Sequence, residues 1–77
     1  MLIRRSLLLS QKELSDRKNT YPPGARVKLI KMDDPKAPPI GCFGTVTGVD
    51  DTGSLLMNWD NGSRLNVLYK EDEVEKV

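Results

Sequence analysis

The sequence predicts a mainly-β fold, with five short strands bent into a small antiparallel barrel behind one short helix. Three observations point to it: short runs in which apolar and polar residues alternate, turn signals between those runs, and a proline-rich stretch that tolerates no regular element. Independent cores rarely form twice in a chain of 77 residues, so a single β domain is expected. Residues 1–20 are assigned to an N-terminal arm with the helix, and residues 21–77 to the barrel.

The helix comes first. Ser10 and Glu13 fit the S-x-x-E capping box, in which each side chain satisfies a backbone N–H at a helix start. A helix from Gln11 to about Lys18 is therefore expected. Leu14 is its lone apolar residue, so it must dock or fray. "NTYPPG" ends it, because Tyr21 precedes a proline and is driven out of the α region.

"ARVKLIK" alternates, with Val27 and Leu29 facing one way and Arg26 and Lys28 the other, as in a half-buried strand. "MDDPKAPPIGCFG" follows as a long surface loop, rich in proline and glycine. Next comes a ribbon, Gly44 to Leu65, holding the chain's one tryptophan. A four-residue loop, "DDTG", joins its first two strands and sets Val46 opposite Met57, Gly48 opposite Leu55 and Gly44 opposite Trp59.

At "DNG" a two-residue turn would mix polar and apolar residues on one face. A three-residue loop, with Gly62 left-handed, instead sets Met57 against Leu65 and Leu55 against Val67. Val27, Leu29, Val46, Leu55, Met57, Trp59, Leu65 and Val67 then share the interior, and "EVEKV" adds a last strand with Val74 inward. So many short strands around one long loop describe an SH3-like barrel; an oligonucleotide-binding barrel is the alternative.

Composition excludes much chemistry. The chain holds no histidine and only one cysteine, Cys42, so neither an internal disulfide nor a common zinc site can be built. Cys42 lacks an activating partner and is read as structural. The aspartate pairs Asp33-Asp34 and Asp50-Asp51 lack the alternating spacing of a calcium loop and are read as turn initiators. The expectation is a protein that is not an enzyme and needs no metal or cofactor. The apolar run Leu7 to Leu9 is too short for a signal core or a membrane span, which points to the cytoplasm and to no membrane partner.

Charge is uneven. Eight basic residues precede Met32 against Glu13 and Asp16, whereas four basic residues face nine acidic ones from Met32 onward. Net charge is +1 overall, so no polyanionic partner is forced. Tyr21, Phe43, Trp59 and Tyr69 are assigned to the core or its rim rather than to a ligand cage. Thr45, Thr47, Leu56, Asn58, Arg64, Asn66 and Leu68 are expected to face outward, with the helix docking there through Leu14 and Leu7.

"YPPGARVKLIKMDDPKAPPIGCFGTVTGVDDTGSLLMNWDNGSRL" resembles the bacterial and phage-borne family called domain of unknown function 4314. The resemblance runs from about Ser10 to Val77 and includes "SQKEL", "YPPG", "MDDP", "GTVTGVDD" and "WDNGS". It implies an SH3-like shape and residence on a phage, plasmid or conjugative element, without an assigned activity. Cys42-Phe43 and the leucine-rich start depart from the family pattern.

The expected function is a non-enzymatic protein-binding module, using Leu56, Asn58, Asn66, Leu68 and Tyr69. An alternative is nucleic-acid binding through Arg26, Lys28, Lys31, Lys36 and Arg64, aided by Arg4 and Arg5, each neutralising a backbone phosphate. A third reading, resting on the phage association, is inhibition of a host defence nuclease.

Overall fold

The computed structural model describes residues 10–77. Helix α1 spans Gln11–Thr20, and strands β1 (Arg26–Lys31), β2 (Phe43–Val49), β3 (Leu55–Trp59) and β4 (Glu73–Lys76) follow. The strands form one open antiparallel sheet in the order β3-β2-β1-β4. The expected contributions of Arg4, Arg5 and Leu7 lie outside the described residues.

Helix α1 begins as its cap requires. Ser10 Oγ accepts the Glu13 N–H at 3.1 Å, and Glu13 Oε1 accepts the Ser10 N–H at 3.0 Å. The helix runs two residues past the expected Lys18, to Thr20, and Tyr21 closes it by donating its N–H to the Arg17 carbonyl at 2.9 Å. None of its residues is fully buried, so its docking depends on particular contacts rather than on an apolar stripe.

The core follows the alternation in the strands. Val27, Leu29, Val46, Leu55, Met57, Trp59 and Val67 are buried, and Leu65 and Val74 pack against them half-covered. Met32, just past β1 and expected in the surface loop, joins this cluster instead. Full burial of a side chain the size of Leu29 or Leu55 stabilises the fold by about 1.5–3 kcal/mol. Gly44 and Val46 pair with Trp59 and Met57 as expected.

Two expected pairings differ. Gly48 lies opposite Leu56, not Leu55, because the register shifts between Val46 and Gly48 and Val49 takes Leu55. The loop is correspondingly longer than "DDTG". Asp50 Oδ1 accepts the N–H groups of Thr52 and Ser54 and the Thr52 hydroxyl, so a side chain takes over from the ladder there.

The strand expected between the "DNG" turn and "EVEKV" is reduced to one isolated bridge, Leu55 to Val67, whereas the last expected strand forms as β4. The three-residue turn itself forms: Trp59 donates to the Ser63 carbonyl at 2.9 Å, and Gly62 has φ +94°. Between turn and bridge, however, the Leu65 N–H goes to Ser63 Oγ at 3.2 Å and the Leu65 carbonyl accepts Trp59 Nε1–H at 2.8 Å. With its N–H committed to Ser63 and its carbonyl engaged by the indole, Leu65 does not make the expected ladder pair with Met57, and regular strand geometry lapses there.

Candidate functional site

Three places on this scaffold carry polar chemistry. On the outer side of the sheet, Arg26 grips the turn residue Asp60 with two nitrogens at 2.8 and 2.7 Å and donates to Thr45 Oγ1 at 3.0 Å. The hydrogen bonds from Arg26 hold the Asp60 carboxyl below its ordinary value, and the same pairing raises Arg26. Lys28, next on that face, lies 4.0 Å from Glu75. Of the candidate phosphate-binding residues, two thus face a carboxylate, while Lys31, Lys36 and Arg64 are exposed and make no ion pair among the described residues.

At the opposite end of the sheet, Arg17 fastens the helix. Its guanidinium sits 4.6 Å from the ring centre of Tyr69 and 5.1 Å from that of Tyr21, and its Nε donates to the Gly53 carbonyl at 2.9 Å. Cation-to-ring contacts of this kind contribute about 0.5–2 kcal/mol, rising as water is excluded. Leu14, the expected anchor, is only half-buried. No periodicity signals the role of Arg17, because its partners are distant in the chain and polar in appearance.

The third place is a groove of about 320 Å³ beside the end of β1. Asp33 and Asp34 come from the loop after β1, Asn66 and Leu68 from either side of the Val67 bridge, and Glu71 and Asp72 from the turn before β4. Met32 and Leu65 complete the lining on the core side. Asp72 Oδ2 accepts the Leu68 N–H and Asp34 Oδ1 accepts the Lys36 N–H, both at 2.8 Å. These bonds fix two of the carboxylates and, among the described residues, leave one oxygen of each unengaged.

The expected partner-binding residues therefore separate. Asn66 and Leu68 line the groove, and Leu68 is 49% exposed. Leu56, half-buried, and Asn58, exposed, stand on β3. Tyr69 is engaged beneath Arg17. The sequence reading missed the groove's acidic wall: Asp34 does initiate a turn, as expected, but nothing local reveals that the turn before β4 lies across from it.

Cys42 is half-buried against the core, with Sγ 3.5 Å from the Phe43 carbonyl. Among the described residues no group of three or more His, Cys, Asp or Glu could hold a metal ion. No helix there is long and apolar enough to cross a membrane.

One antiparallel sheet with a helix clasped to one end and a small acidic groove near the other defines a small, mainly-β domain. The chain belongs to the family described as Domain of unknown function (DUF4314), whose model matches residues 10–77. Comparison with curated proteins and with solved structures finds no match.

Proposed function

We propose that the sheet and residues 63–67 together make a small SH3-like barrel, and that this barrel is a non-enzymatic module that binds another protein. The unbroken path of four pairings from the Val67 bridge through β3, β2 and β1 to β4 supports the barrel reading. In this reading the module is carried by a phage or other mobile element and acts in the cytoplasm of a bacterial host. The observation that carries the binding role is the groove bordered by half-exposed Leu68 beside Asn66. Concave surfaces with an apolar floor and a few polar groups at the rim are where partners ordinarily bind.

Capture from bacterial lysate tests this, using the full chain and Leu68→Ser. A partner recovered by the wild type and lost by the variant, at equal melting temperature, is expected. No recovered partner, or equal recovery by both, would overturn the proposal. If the recovered partner is a nuclease, inhibition of a host defence enzyme becomes the specific form of this role. Nucleic-acid binding is the weaker reading, because Arg26 and Lys28 already face Asp60 and Glu75.

A further inference from the structure

We infer that the groove takes a cationic and apolar peptide segment of the partner: an arginine or lysine flanked by leucine-like side chains. The inference rests on the protein-binding reading and names the chemistry of its site. Charge is the first argument. Asp33, Asp34, Glu71 and Asp72 line the groove, and among the described residues no basic side chain does. Lys70, nearest in sequence to the second wall, places its Nζ 5.5 Å from the Tyr69 ring centre and is not part of the lining.

Acceptor supply is the second argument. The Asp33 and Glu71 carboxylates have no hydrogen-bond or ion-pair partner among the described residues. With the second oxygens of Asp34 and Asp72 they offer several acceptors, enough for the fork of a guanidinium. An anionic ligand such as a nucleic-acid phosphate would meet the like charge of these four carboxylates.

The third argument is the apolar floor. Met32 and Leu65 belong to or pack on the core, and Leu68 stands half in water. Long basic side chains lay their methylene stems along such surfaces while the charged head reaches outward. The volume, about 320 Å³, sits at the lower bound of ligand pockets and suits one or two side chains rather than a whole cofactor.

The test is a titration of the isotope-labelled full chain, followed by NMR, with acetyl-Leu-Arg-Arg-Leu-Leu-amide and with its counterpart carrying two glutamates in place of the arginines. Amide shifts confined to residues 32–34 and 65–72 are expected with the cationic peptide alone. The double variant Asp33→Asn, Glu71→Gln keeps the fold, both side chains being exposed, and should bind at least about tenfold more weakly. Added salt should weaken the wild-type complex as well.

Equal response to both peptides, shifts elsewhere on the surface, or undiminished binding by the double variant would each overturn the inference. So would groove shifts that depend on protein concentration without peptide, since they would assign the groove to a second copy of this chain. If the cationic peptide fails while Leu68-dependent capture succeeds, the protein-binding reading stands and only the occupant's chemistry is wrong.

Discussion

Gly44→Ala offers the sharpest test of the packing. A Cβ built at Gly44 would lie 2.6 Å from Trp59 Cε3, 2.9 Å from Met57 Cε and 3.0 Å from Trp59 Cδ2. The methionine end can swing away, but the indole cannot: it is 3% exposed and tied by its N–H to the Leu65 carbonyl at 2.8 Å. Overpacking of this sort costs about 1–3 kcal/mol. Loss of glycine freedom in the unfolded chain offsets about 0.4–1 kcal/mol. The net is a destabilisation of about 1–2 kcal/mol, which for a domain of this size lowers the melting temperature by roughly 5–15 °C.

The measurement is thermal and urea unfolding followed by fluorescence of the one tryptophan, with an unchanged denaturant slope and a lower midpoint expected. Gly48→Ala is the matched control. Its Cβ would meet Leu56 Cδ1 at 3.6 Å, an ordinary contact, so stability should stay the same or rise by up to about 1 kcal/mol. A Gly44→Ala melting temperature within about 2 °C of wild type would refute the claim that the indole is fixed against this backbone.

Arg17→Lys should release the helix, because an ammonium cannot both stack between two tyrosines and reach the Gly53 carbonyl as the planar guanidinium does. Hydrogen exchange should quicken in Gln11–Thr20 and hold steady in β1–β3; unchanged helix protection would sink the assignment. Ser10→Ala removes the cap and should cost about 0.5–2 kcal/mol of helix stability, read as lost helical ellipticity; full ellipticity would contradict it.

Acid should unfold the domain through groups whose charged forms the fold favours. For Asp50, burial acts to raise the carboxyl, but hydrogen bonds from Thr52 and Ser54 outweigh it and leave the group lowered. The bonds from Arg26 lower Asp60, and the Ser10 backbone N–H lowers Glu13. Such groups stabilise the fold above the ordinary carboxylate range and lose that contribution as pH falls through their lowered values. The melting temperature should therefore be nearly level from neutrality to about pH 5 and fall below about pH 4. Asp60→Asn should shallow that fall; an unaltered acid slope would remove Asp60 from the account.

Burial leaves a period of two in a strand, so Val27 and Leu29, and Leu55, Met57 and Trp59, could be placed inward from their spacing alone. Gly62 was equally readable, because only one turn length kept the apolar residues on a single face. What could not be read depends on side chains that replace backbone partners. Leu65 gives its amide to Ser63 and its carbonyl to Trp59, which breaks a strand that alternation alone would continue. Asp50 does the same at the other loop. The candidate site was legible at Asn66 and Leu68 but not at its acidic walls, since charge runs carry no record of which loops meet. Arg17 looked like any solvated helix residue until the two tyrosines were placed around it.

The fork between Arg26 and Asp60 joins the start of the first strand to a turn 34 positions later. Replacing either partner alone gives up a two-nitrogen grip and leaves the other's half-exposed charge unmatched beside Thr45. Across diverging members of the family these two sites should change in step, swapped for another complementary couple or neutralised together, whereas neighbouring Lys28, with its looser contact to Glu75, is free to wander.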